Sequence, residues 1–125
     1  MKNLTKKKIL IIEDDRSLQD ALTEMLKREG YKVINAFDGE EGLQKAEKDL
    51  PDLILLDIIL PRKDGYEVLK EIKQGKPKDA PVLVLTNLAE ASNVQKAISL
   101  GATTFMVKAD FSLEDILEKV RENLR

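Results

Sequence analysis

The feature that most limits what this chain can fold into is a strict alternation of two hydrophobic periods. Ile9–Ile12 is an aliphatic run between Lys6-Lys7-Lys8 and Glu13-Asp14-Asp15. It reads as a strand buried on both faces. Leu18, Ala21, Leu22, Met25 and Leu26 then recur at helical spacing, and Gly30 follows as a stop. Tyr31–Ala36 reads as a strand, and Asp38 with Glu41 resembles an N-terminal capping pair for a helix through Leu43 and Ala46. Asp52–Asp57 is a third strand, and Asp64–Gln74 a helix carrying Val68, Leu69 and Ile72 and stopping at Gly75. Val82–Leu85 is a fourth strand ending at Thr86, followed by the helical stripe Ala91, Val94 and Ile98, closed by Gly101. Thr103–Val107 is a fifth strand ending at Lys108, and Ser112 with Asp115 caps a last helix bearing Leu113, Ile116, Leu117, Val120 and Leu124.

Five strand–helix units in sequence imply a parallel sheet with helices on both faces. At 125 residues, with no linker or low-complexity tract, residues 1–125 are expected to form one domain. Sites in such sheets form beyond the carboxyl ends of the strands, near the point where strand order reverses. The strand-terminating residues are therefore the informative ones. They are Glu13-Asp14-Asp15, Asp57, Thr86 and Lys108, which the topology gathers onto one edge from distant parts of the chain. Read singly, each has an ordinary explanation. Asp15 suits a helix cap, Glu13 and Asp14 suit solvated loop acids, Thr86 suits strand-end filler, and Lys108 suits a counter-charge. Asp57 resists such a reading, because aliphatic residues flank it in LILLDIIL and no Gly or Asn accompanies it.

The composition narrows the chemistry. The chain has no His and no Cys, which removes imidazole acid–base chemistry, disulfides and thiolate metal sites. Clustered carboxylates repel unless something neutralises them. Lys108 offsets one charge, and a hard divalent cation offsets more. With oxygen ligands alone on offer, Mg²⁺ is the natural candidate. Carboxylates, Mg²⁺, a hydroxyl and an amine make a cradle for a phosphoryl group. A carboxylate can itself be the nucleophile, and Asp57, central and most sheltered, is the best candidate. The net charge of -2 offers no electrostatic footprint for nucleic acid. No apolar run reaches the roughly 18 residues of a membrane span, so a cytoplasmic location is expected.

In order and interval, ILIIEDD, LILLDIILPRKDGYEVLKEIK, VLVLTN and GATTFMVKADF resemble the receiver domain of bacterial two-component response regulators over nearly the whole chain. The resemblance implies a flavodoxin-like, doubly wound five-stranded parallel sheet of strand order 2-1-3-4-5. It implies that Asp57 accepts a phosphoryl group from a sensor histidine kinase or a His-phosphotransfer protein. By the same resemblance Mg²⁺ is held by Asp14 and Asp57 directly, by Glu13 through water, and by the backbone carbonyl of Ile59. Lys108 pairs with the phosphoryl oxygens, Thr86 moves to hydrogen-bond them, and Phe105 changes rotamer with it. The output is a downstream protein partner, met by the face of the fourth helix, fifth strand and fifth helix. The chain would be a phosphoacceptor, not an enzyme. Because it ends with the fifth helix, the expectation is a stand-alone receiver similar to chemotaxis regulators, or a piece of a larger regulator.

Some positions depart from the family pattern. Ala109 stands where Pro with a cis bond is common; a cis non-Pro bond costs about 3 kcal/mol, so none is expected. Arg62-Lys63 replace small or apolar residues, and read as a solvated pair or as a contact for an acidic partner or second phosphate. Ile59 and Leu88 occupy positions that tune dephosphorylation. Neither aliphatic side chain orients an attacking water, which implies slow loss of the phosphoryl group. The alternatives are a non-phosphorylated binding module on the same fold and an aspartyl-phosphate phosphatase. The second is weakened by Ile59, because haloacid-dehalogenase-type enzymes have an acid there.

Overall fold

The structure, a computed structural model, describes residues 6–88 and 90–124. Among these residues the elements follow one another as β1 (Lys8–Ile12), α1 (Arg16–Arg28), β2 (Lys32–Ala36), α2 (Gly39–Asp49), β3 (Leu53–Leu56), α3 (Gly65–Gln74), β4 (Val82–Thr86), α4 (Ala91–Ser99), β5 (Thr104–Val107) and α5 (Leu113–Leu124). A short 3₁₀ turn, Lys108–Asp110, sits between β5 and α5. The sheet order is β2-β1-β3-β4-β5 and every pairing is parallel. This is the doubly wound order that the resemblance implied.

Side-chain parity sorts the core into two layers, because successive residues of a strand face opposite ways. Leu10, Ile12, Ile54, Leu56, Val82 and Val84 face one side, with Ala46 of α2, Val68, Leu69 and Ile72 of α3, and Ala97 of α4. Ile9, Ile11, Leu53, Leu55, Leu83, Leu85 and Met106 face the other, with Leu22, Met25 and Leu26 of α1 and Ile116, Leu117 and Val120 of α5. Both faces of the central strands are therefore dry. Their continuous aliphatic sequence follows from that.

The helix starts carry the expected chemistry. Asp15 Oδ1 accepts from the Ser17 and Leu18 N–H groups, at 2.9 and 3.3 Å. Asp38 Oδ1 accepts from Glu41 N at 2.8 Å. Ser112 and Asp115 cap α5 reciprocally, at 3.0 and 3.1 Å. Gly30, just past the C-cap of α1, has φ +96°, which suits a residue without Cβ. A Cβ at Gly65 would overlap the Asp57 carbonyl oxygen and the Ile58 Cα, so α3 begins hard against the end of β3.

Element boundaries differ from the sequence reading by a residue or so. β3 ends at Leu56, so Asp57 is the first residue beyond it, although its N–H still donates to Ile12 O at 3.0 Å. Thr86 is the last residue of β4, and β2 and β5 start at Lys32 and Thr104. A larger difference concerns the helix after β4. Its predicted stripe was Ala91, Val94 and Ile98. In the structure Ala97 is buried, Val94 and Leu100 are half-buried, and Ala91 and Ile98 are exposed. The inward line is thus 94, 97 and 100. Its spacing is equally helical, and the small side chain of Ala97 allows the close approach.

Candidate functional site

The strand order reverses between β1 and β3, and the residues that end these two strands face each other there. Glu13 and Asp57 are 3% and 5% exposed, and Thr86, at the end of β4, is 0% exposed. Asp14 is exposed. One carboxylate oxygen from each of Glu13, Asp14 and Asp57 lies within 4.8 Å of the others.

Lys108, arriving from β5, reaches across β4. Its Nζ donates to Asp57 Oδ2 at 2.8 Å and lies 2.7 Å from Glu13 Oε1. Glu13 is held on its other oxygen too, since Oε2 accepts from the Asp15 N–H at 3.0 Å. Asp57 Oδ1 accepts from the Ile59 N–H at 3.2 Å, while the Ile59 side chain is exposed. Asp14, among the described residues, makes no ion pair. Three carboxylates against one ammonium leave the cluster at a net charge of -2 when all are ionised.

The electrostatics follow from these contacts. Burial pushes the Glu13 carboxyl above its ordinary value. The Lys108 and Asp15 hydrogen bonds lower it again in part, and the Asp57 charge adds to the rise. For Lys108, burial works against the charge. Its hydrogen bonds to Asp57 and Glu13 more than offset this, so the ammonium is held above the ordinary lysine value.

Thr86 Oγ1 is buried and, among the described residues, has no hydrogen-bond partner. A buried hydroxyl left unmade costs about 1–3 kcal/mol. The neighbouring features fit a divalent cation and an oxyanion: hard oxygen donors, a charge deficit of two, an ammonium and an unpartnered hydroxyl. Mg²⁺ suits an oxygen-only set of this kind.

The remaining sequence-predicted positions also have places. Phe105 is half-buried and packs, with Tyr66, Leu88 and Leu100, against the α2-α3-α4 layer. The Lys108–Ala109 bond is trans. Arg62 Nε lies 3.6 Å from Asp38 Oδ2, and Lys63 Nζ donates to Glu71 at 2.6 Å, so both cations of this pair have partners within the chain. A depression of about 480 Å³ lies beside Arg62, lined by Arg16, Phe37, Asp38, Glu40, Glu41 and Gln44, and contains none of the acids of the cluster. Two features escaped the sequence reading. One is Gln19, buried on α1. Its signal was there: it precedes Leu22 and Leu26 by three and seven residues, which puts it on the apolar stripe. The other is a contact between α3 and α4, in which Tyr66 OH donates to Asn93 Oδ1 at 2.8 Å and Lys96 Nζ sits 4.2 Å from the Tyr66 ring centre.

A doubly wound domain with clustered carboxylates and an ammonium at its switch point has the donor set for a divalent cation and a small oxyanion. Comparison with known proteins narrows that class. The family model of the response regulator receiver domain matches residues 9–121, and the chain belongs to this family, the receiver domains of two-component response regulators. It is 44% identical over 119 residues to the alkaline phosphatase synthesis transcriptional regulatory protein PhoP of Bacillus subtilis (strain 168), covering 95% of this chain and 49% of that protein. The chain thus spans about half the length of such relatives. Its structure is similar to a CheY-like receiver domain from Methanospirillum hungatei JF-1, with TM-score 0.90, 33% identity, and 96% and 94% of the two chains covered. It is also similar to the receiver domain of a sensor histidine kinase from Pseudomonas aeruginosa PAO1, with TM-score 0.85, 26% identity, and 96% and 98% covered. In that protein a magnesium ion is coordinated in the active site cleft. Receiver domains bind Mg²⁺ in the acidic site, and they are generally phosphoacceptors rather than catalysts.

Proposed function

We propose that Asp57 accepts a phosphoryl group from a sensor histidine kinase or a His-phosphotransfer protein, and that residues 1–125 act as one cytoplasmic receiver domain switched by that event. The observation that carries this reading is the Glu13–Asp14–Asp57–Lys108 cluster beside the unpartnered Thr86 hydroxyl. An Asp57 carboxylate oxygen attacks phosphorus. The phosphorus–nitrogen bond of the donor phosphohistidine breaks, and its electron pair stays on the imidazole. Asp14, Asp57 and the Ile59 carbonyl would hold Mg²⁺, with Glu13 contributing through water. When bound, the ion offsets charge on the transferring group. Lys108 exchanges its carboxylate contacts for the phosphoryl oxygens.

Thr86 then gains an acceptor for its buried hydroxyl, and Phe105 turns with it. A swing from 1:99 to 99:1 between two states needs about 5.5 kcal/mol of differential interaction. A hydrogen bond to a charged group supplies about 1.5–3 kcal/mol of that, and Lys108 with the surrounding loops supplies the rest. The surface that changes is α4, β5 and α5, which meets a downstream protein. Neither Ile59 nor Leu88 offers a side-chain donor or acceptor to an attacking water. The aspartyl phosphate is therefore expected to outlive a timescale of seconds, as a decay series by mass spectrometry would read.

Incubation with Mg²⁺ and acetyl phosphate, followed by intact-mass measurement, tests the proposal. One phosphoryl adduct, dependent on Mg²⁺ and absent from Asp57→Ala, is expected. No adduct, or one that persists in Asp57→Ala, rejects it.

A further inference from the structure

Among the described residues, four polar or charged side chains are buried: Glu13, Gln19, Asp57 and Thr86. Three of them form the site. The fourth, Gln19, is 1% exposed and sits at a position where an apolar residue would complete the α1 stripe without a desolvation cost.

Its carboxamide is satisfied in a specific way. Nε2 donates toward three carbonyls: Ile11 O at 3.0 Å, Glu13 O at 3.1 Å and Ala36 O at 2.7 Å. Its Oε1 accepts from Asn35 Nδ2 at 2.6 Å, and Asn35 also donates to Thr23 Oγ1 at 2.8 Å. Three carbonyls around the nitrogen and one N–H at the oxygen fix which way the amide points. All three carbonyls lie where β1 and β2 end, and one belongs to Glu13 itself. Ala36 O also accepts from the Glu13 N–H at 3.0 Å. The Glu13 backbone is thus tied on both sides through Ala36 and Gln19, directly before Asp14.

We propose that Gln19 is a positioning residue for the acidic loop: its carboxamide holds the Glu13–Asp14 backbone so that both carboxylates are presented to Mg²⁺. The inference rests on reading Glu13 and Asp14 as contributors to the Mg²⁺ site. Partners that orient metal ligands typically change metal affinity by about 10–100-fold when removed. A residue that only anchors α1 would change stability and leave affinity alone.

The test is an NMR amide-shift titration with MgCl₂, paired with thermal unfolding, on the parent, Gln19→Met, Gln19→Asn and Thr23→Val. Gln19→Met keeps the length and removes the amide. Gln19→Asn keeps an amide that falls short of Glu13 O, and serves where the first variant fails to fold. Thr23→Val perturbs the far end of the same network without touching Glu13. The expected result is Mg²⁺ affinity about tenfold weaker in the Gln19 variants and within about twofold of the parent in Thr23→Val. Metal-free Gln19→Met should also show faster hydrogen exchange at the Glu13 N–H. Gln19 variants within about twofold of the parent, or a Thr23→Val loss equal to theirs, overturn the inference. A parent with no saturable Mg²⁺ response instead rejects the metal reading on which it stands.

Discussion

α1 and α4 flank the same cleft but are held in opposite ways. α1 runs 13 residues, is capped by two hydrogen bonds to Asp15, and buries Gln19, Leu22, Met25 and Leu26. α4 runs 9 residues, has, among the described residues, no side-chain cap hydrogen bond at Glu90, and buries Ala97. Its tie to α3 is polar, through Tyr66, Asn93 and Lys96. Burial at roughly 25 cal/mol per Å² of apolar surface makes α1 expensive to move and α4 cheap. Elements that move in switching come from the low-stability part of a structure. The acidic loop therefore hangs on a fixed element, while Thr86 lies at the end of the strand leading to a loosely held one. On the proposed reading, ligand geometry is set beforehand on one side, and the response is left available on the other.

The contrast can be broken most severely at Lys108. Removing one partner of a buried ion pair costs about 3–5 kcal/mol. Lys108→Met leaves Glu13 and Asp57 without their ammonium, and urea unfolding should show a loss near the lower end of that range. Asp57→Asn added to Lys108→Met should recover part of it, because the two residues share one interaction. Additive losses would mean that the pair is not coupled.

Thr86→Val should act with the opposite sign. It removes a buried hydroxyl that has no partner among the described residues, so the unphosphorylated protein should gain up to about 1 kcal/mol. Mg²⁺ titration should leave affinity within about twofold, and the phosphorylation-dependent shifts of α4 amides should shrink. A stability loss greater than about 1 kcal/mol would show that the hydroxyl is satisfied in solution.

The pH dependence sharpens the fixed side. Burial raises Glu13, so in the metal-free fold its contribution to stability is greatest below the ordinary value of 4.5 and fades as pH rises through the raised one. Mg²⁺ requires ionised carboxylates. Apparent Mg²⁺ affinity should fall as pH is lowered through that raised value, before an unperturbed carboxylate would respond. Lys108 follows the same sign in a much higher pH window. Its raised ammonium contributes stability below the ordinary 10.5, and that is lost as pH rises through the higher folded value. Affinity unchanged from neutrality down to 4.5 would remove Glu13 from the site.

The smallest effect is expected at Glu90. Glu90→Ser supplies the missing cap and should stabilise α4 by about 0.5–1 kcal/mol. Slower amide exchange in α4 together with a weaker response to phosphorylation would support the comparison. A response of undiminished size would count against it.

The sheet was readable because β3, and β1 apart from half-buried Lys8, are buried along their length, so each strand announces itself as an unbroken aliphatic run. The candidate site was readable because the fold sends strand ends to one edge, whatever the loops between them do. What escaped depends on distance through space. No local pattern says that Thr86 Oγ1 lacks a partner. Glutamine is usually solvated, so an apolar stripe drawn through Leu18, Leu22, Met25 and Leu26 leaves Gln19 out although its spacing places it inward. The α4 stripe was misplaced because several helical lines fit a sequence as apolar as Ala91, Val94, Ala97, Ile98 and Leu100. The choice among them is made by what the helix lies against.

The charge imbalance of the cleft has a logical consequence. Three carboxylates and one ammonium leave a deficit of two, and replacing the Asp57 carboxylate by a phosphoryl group of charge about -2 deepens it. An anion arriving alone meets repulsion, and a cation arriving alone finds a site but nothing to transfer. On the proposed reading the cleft therefore works as a coincidence detector. It answers the conjunction of metal and donor, and either input by itself leaves the output at rest.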